Sequence, residues 1–222
     1  MRGMNGRIRA GGTWLAIASF LIILTLLLHG PISTDLAEQM RRVSEHSMTW
    51  AVAHWIAAAA FSFYAMAGLL VLSSDSSRIA GWATTSAWAV IPVAALWTLT
   101  TAIAEATVVA SAAQSGDQDV FNAWWAFAEG KATGFAFMAL AVATIAASEA
   151  RSAAPATPAW AAWAATVAGV ASFSGWVLGM WLGIAPGNLL GLVSSILMSA
   201  WTGWFGIALA RSPEGAPAMA EV

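Results

Sequence analysis

Phe121 to Ala147 reads FNAWWAFAEGKATGFAFMALAVATIAA. At 1.5 Å per residue this run is long enough to cross a bilayer as a helix. It also carries Glu129 and Lys131 well inside. Ionisable side chains at such depth are costly and face a protein interior or a water-filled cavity. The run is therefore read as one span of a larger bundle that shelters these two groups.

The rest of the chain agrees. Of its 222 residues 59% are hydrophobic and 9% are charged, against roughly 25% charged in an average soluble domain. With a mean hydropathy of +0.73, this places the chain in the membrane class. The formal net charge of -2 has no basic patch behind it, so nucleic acid is not an expected partner. The chain has no cysteine. Disulfides, thiolate metal ligands, iron–sulfur clusters and covalently attached c-type haem are thereby excluded. Many of the 14 tryptophans fall near the ends of apolar runs, where an interfacial belt places them.

Six apolar runs are predicted as spans, at about 13–29, 48–72, 83–112, 121–147, 159–183 and 188–210. The fold class is all-α, a polytopic six-helix transmembrane bundle. Residues 1–12 form a basic, glycine-rich start, and 211–222 a disordered tail. The first run lacks a small-x-small cleavage site and is read as a retained helix rather than a signal peptide. Gly30-Pro31 ends it. Between the first two spans, Ser33 or Thr34 caps a short helix reaching about Ser44, expected on the membrane surface. Pro92 predicts a kink in the third span. Gly175, Gly179 and Gly183 recur at four-residue spacing, which places them on one packing face of the fifth span. Gly130 and Gly134 give the fourth span a similar face.

Arginine placement sets the orientation. Arg2, Arg7, Arg9, Arg78, Arg151 and Arg211 fall on one side, and Arg41 and Arg42 on the other. The positive-inside rule puts both termini in the cytoplasm. The Ala- and Trp-rich make-up resembles that of multi-pass proteins of bacterial inner membranes, and that resemblance implies the same location.

Depth estimates then single out a cluster. His54 lies roughly 9 Å in from the outer end of the second span, Glu105 roughly 10 Å and Glu129 roughly 12 Å in theirs, with Lys131 slightly deeper. His29 ends the first span at the outer surface. Trp97, Thr101 and Glu105 share a spacing of four, as do Trp50 with His54 and Trp125 with Glu129. Lys131 is expected to meet Glu105 or Glu129 from a neighbouring helix or through water. One histidine with two carboxylates suits zinc, manganese or non-haem iron, and a second histidine admits copper. There is no H-E-x-x-H and no E-x-x-H to support zincin or ferritin-like sites. Haem b is a further candidate, although an expected depth difference of ~7–10 Å between His29 and His54 disfavours ligation by both. No nucleophile elbow or phosphate loop occurs.

Three functions follow from these residues. One is a polar or metal-binding site of His54, Glu105, Glu129 and Lys131 near the outer face, with His29 close by, serving proton- or ion-coupled transport or small-ligand sensing. The second is an accessory subunit of a larger membrane complex, or a homo-oligomer, in which the ion pairs only fix helix register. The third is a haem- or metal-dependent membrane enzyme.

Overall fold

The computed structural model describes residues 2–29, 32–33, 35–74, 79 and 81–211, with the side chains of 2–5 and 129–132 outside the described part. Its elements are α1 (Arg2–His29), α2 (Leu36–Glu45), α3 (Ser47–Leu72), α4 (Trp82–Ala104), a π-helical turn (Glu105–Val109), α5 (Ala110–Ser115), α6 (Gln118–Ala150), α7 (Ala159–Trp176), a second π-helical turn (Val177–Trp181) and α8 (Ala185–Ala210). Six helical segments are long and apolar enough to cross a membrane. The third runs from Trp82 to Ser115 through α4, the π turn and α5, and the fifth joins α7 to its π turn. The predicted spans are all present. α1 differs in starting at Arg2, so the basic segment continues the first helix. The expected disordered tail and the Gly30-Pro31 break lie outside the described residues.

Each span packs on its neighbours in sequence, and α8 returns to pack along α1. The result is a closed ring of six helices. Small side chains let the backbones approach. A Cβ on Gly12 would lie 2.6 Å from the Gly206 carbonyl oxygen, and one on Gly206 2.7 Å from the Ala16 nitrogen, so this pair closes the ring. Gly175 and Gly179 serve the α7–α8 seam, where an added Cβ would strike Gly191 and Asn188 respectively. Gly134 does the same for α6 on α4, facing Thr98. Gly183 departs from the expected ladder. It has open space around it and a φ of +65°, so it turns the chain between spans. Pro92 is buried inside α4, and Gly68 of α3 makes room for its ring.

The outer surface of the ring carries Phe20, Leu27, Val93, Val167 and Leu197, all exposed as lipid-facing side chains would be. The ring interior is filled near the terminal face by Tyr64, Trp88, Ile91, Met138, Met198 and Phe205. With an even number of spans, both described ends lie on that face.

α2 covers the opposite end. Asp35, not Ser33, is its N-cap, with Oδ1 accepting from the Ala37 and Glu38 amides at 2.9 and 3.1 Å. Thr34 lies outside the described residues. Ser33 instead uses its amide on Gln39 Oε1, at 2.9 Å. The helix buries Gln39, Met40 and Val43 and exposes Arg41 and Glu45. Met40 and Val43 join Trp50, Val109, Phe121 and Trp125 in a second apolar cluster. α2 thus lies against the bundle end, because its short apolar face is matched there by protein.

Candidate metal centre

Three spans bring one side chain each to a point just beneath α2. His29 is the last residue of α1. His54 is about two turns into α3. Glu105 opens the π turn of the third span. An extra residue in a helical turn rotates everything beyond it, and such turns recur at functional sites. Here the turn starts on the carboxylate itself, which is fully buried at 0% exposure.

His54 Nδ1 donates to the Trp50 carbonyl at 2.8 Å. A carbonyl oxygen only accepts, so Nδ1 carries the proton. That leaves Nε2 pointing at Glu105 Oε2, with which it is in direct contact. A lone-pair nitrogen and a carboxylate oxygen do not attract each other. The contact requires a proton between them, and a metal ion would need the two atoms to part to the spacing of co-ligands. His29 supplies a third donor, and one ligand atom from each of the three lies within 4.8 Å of the others.

Donors bound about 2.0–2.2 Å from a shared ion stand roughly 3–3.6 Å apart. With its donors within 4.8 Å of one another the triangle is near that spacing but not at it. Two histidines and one carboxylate form the donor set of facial sites that keep coordination positions open. The Trp50 carbonyl on Nδ1 is the outer-shell partner that holds a ligating imidazole in one tautomer.

The aromatic surroundings fix the rings. Trp50 packs on His29 at 4.4 Å and on His54 at 4.6 Å between ring centroids, with Trp125 at 6.2 Å from Trp50. The pairing of Trp50 with His54 along α3 follows the expected spacing of four. Trp97 does not behave likewise. It is 45% exposed while Glu105 is buried, because eight residues of helix overshoot two turns and the face drifts.

The expected depth difference between the histidines is overturned. Their rings touch edge to face at 5.0 Å. Rings this close leave no slot between them for a porphyrin. The side chains of Glu129 and Lys131, and Gly130 beside them, lie outside the described residues. Within the described residues, the partner placed on Glu105 is His54.

Behind the triad the ring holds a partly open cavity of about 80 Å³. All six spans contribute to its wall, among them Ile22, His54, Thr98, Phe135, Trp176 and Leu192. Nothing in the sequence marks this cavity, since it depends on which faces the ring turns inward. Asn188 was equally inconspicuous at the start of the sixth span. It is buried, lines the cavity, and its Nδ2 donates to the Ile32 carbonyl at 3.4 Å. A second recess of similar volume, about 90 Å³, shares Ile32, Met180 and Asn188 with the cavity and is also lined by Ser33 and Gly183.

Comparison with known protein families, with curated proteins and with solved structures finds no match for this chain.

Proposed function

We propose that the chain is a membrane-embedded metal protein in which His29, His54 and Glu105 hold one divalent transition-metal ion, and that the ion binds a small ligand inside the six-helix ring. The observation that carries this reading is the gathering of His29, His54 and Glu105 from three spans, with one ligand atom of each within 4.8 Å of the others and His54 Nδ1 already committed as a donor. A metal ion would draw on all three donors. It supplies a Lewis-acidic centre with open positions toward the cavity. The chain's own residues orient the donors, exclude bulk water through Trp50 and α2, and shape the space beside the ion.

Small-ligand sensing or metal-dependent chemistry is favoured over ion transport. The cavity wall is apolar, and a hydrated ion passing through it would lose its water without replacement. The make-up of the chain and the bias of its arginines support a bacterial inner membrane with both termini cytoplasmic. Glu129 and Lys131, close in sequence to the buried Trp125, remain candidates to set the charge around the ion.

Cobalt(II) titration of chelator-treated protein in mild detergent tests the metal. The expected result is one equivalent bound with visible d–d absorption, accompanied by loss of binding in His54→Ala and Glu105→Ala and weakening in His29→Ala. Binding that is unchanged in His54→Ala, or no binding in a folded wild-type protein, overturns the proposal.

A further inference from the structure

The cavity beside the triad has a consistent chemistry. Its hydroxyls are committed elsewhere: Thr98 Oγ1 donates to the Ala94 carbonyl at 2.8 Å, and Thr25 Oγ1 to the Ala53 carbonyl at 3.3 Å. The Trp176 indole N–H donates to Ser195 Oγ at 3.0 Å. The Asn188 amide reaches the Ile32 carbonyl with its nitrogen, while its oxygen, packed against Gly179, has no hydrogen-bond partner among the described residues. Apart from that one neutral acceptor and the histidines, the described wall facing the space is hydrocarbon and ring. Phe61, Phe135 and Trp176 form a continuous aromatic wall, with centroids 5.9 and 6.1 Å apart, and Ala57 and Ala102 keep the opposite side shallow. Among the described residues no arginine, lysine or aspartate lines it, and the histidines line it at the triad end.

A charged molecule placed here would surrender its hydration and meet no counter-charge away from the metal. A neutral hydrocarbon surface gains on transfer instead, and each buried CH₂ tightens binding about fourfold. We infer that the cavity takes a small, neutral, largely hydrocarbon molecule held beside the metal. The inference names the ligand class for the site proposed above and rests on that reading only for the word "metal", because the wall itself selects the class.

Fluorine NMR in lipid nanodiscs tests it, using 4-fluorotoluene, 4-fluorobenzoate and 4-fluorobenzylammonium as probes of one shape and three charges. Each probe is measured with wild-type protein, both cobalt-loaded and chelator-stripped, and with Ala57→Phe, which fills the cavity. Ala102→Leu replaces that variant if Ala57→Phe does not fold. Subtracting the filled variant removes partition into lipid.

The expected result is a shifted, bound signal for 4-fluorotoluene in both wild-type forms. It is absent from the filled variant, and neither charged probe binds within about tenfold of the neutral one in the stripped protein. 4-Fluoroethylbenzene should then bind about fourfold tighter than 4-fluorotoluene. Persistence of this pattern without cobalt binding would remove the metal and keep the ligand class. Equal binding of a charged probe by the stripped protein, or no neutral signal that the filled variant abolishes, overturns the inference.

Discussion

Replacing His54 and Glu105 singly and together measures whether they form one unit inside the membrane. Glu105 is fully buried and the His54 side chain is 4% exposed, so neither can turn to solvent when its partner is removed. His54→Leu removes the imidazole that meets the buried Glu105 carboxylate. Breaking a buried pair by removing one member costs about 3–5 kcal/mol. An acidic group in mid-span costs about 2.5–3.5 kcal/mol on insertion scales, so the lower end of the range, about 3 kcal/mol, is expected for His54→Leu. Glu105→Met removes the acceptor and leaves an imidazole that can stay neutral, at a cost of about 1–2 kcal/mol. The double variant removes both members of the contact and should cost about 1 kcal/mol or less. The coupling is then about 3 kcal/mol, well beyond the ~0.6 kcal/mol average for transmembrane hydrogen bonds. Equilibrium unfolding in mixed micelles, on metal-free protein, gives all four corners of the cycle. Additive losses, with a coupling at or below about 0.6 kcal/mol, would show that the two groups do not meet and would refute the geometry of the site.

Three other outcomes follow from the packing. Gly12→Leu should open the α1–α8 seam and destabilise by about 1–3 kcal/mol or more, since the added atoms meet backbone. Gly6→Ala, in open space on the same helix, should instead stabilise by about 0.5–1 kcal/mol in the same unfolding assay. Tyr64→Phe removes an oxygen 2.9 Å from Ser19 Oγ, and the remaining Ser19 bond to the Leu15 carbonyl limits the loss to about 1 kcal/mol. On α2, hydrogen bonds from Arg42 and then Arg41 hold the Glu38 carboxyl below its ordinary value. Its contribution is complete above the ordinary carboxylate range and is lost as pH falls through the lowered value. Hydrogen exchange of the α2 amides should be unaffected by mild acid and quicken only in stronger acid, and equal quickening in Glu38→Gln would count against this cause.

The spans were legible because crossing a bilayer is a local requirement. A run of apolar residues about twenty long, broken by Gly, Pro or charge, has one way to satisfy its backbone in lipid. All six runs are helices in the structure, with differences confined to their ends. The polar residues worth watching were also readable, since a carboxylate such as Glu105 inside a span is expensive wherever it points. Its partner was not readable. Depth along a helix is set by counting, but angle around it drifts with every turn and is lost beyond a π turn such as the one that begins at Glu105. Trp97 and Glu105 separate although their spacing suggested one face, because eight residues overshoot two helical turns. His29 and His54 meet because α1 packs along α3, which no window of sequence records. The cavity likewise follows from ring closure by Gly12 and Gly206, two residues at opposite ends of the chain. Span and composition were determined by the sequence itself, through the energetics of a backbone in lipid. The meeting of His29, His54 and Glu105, and the apolar space beside them, was decided by the tertiary structure, because packing alone sets which faces turn inward.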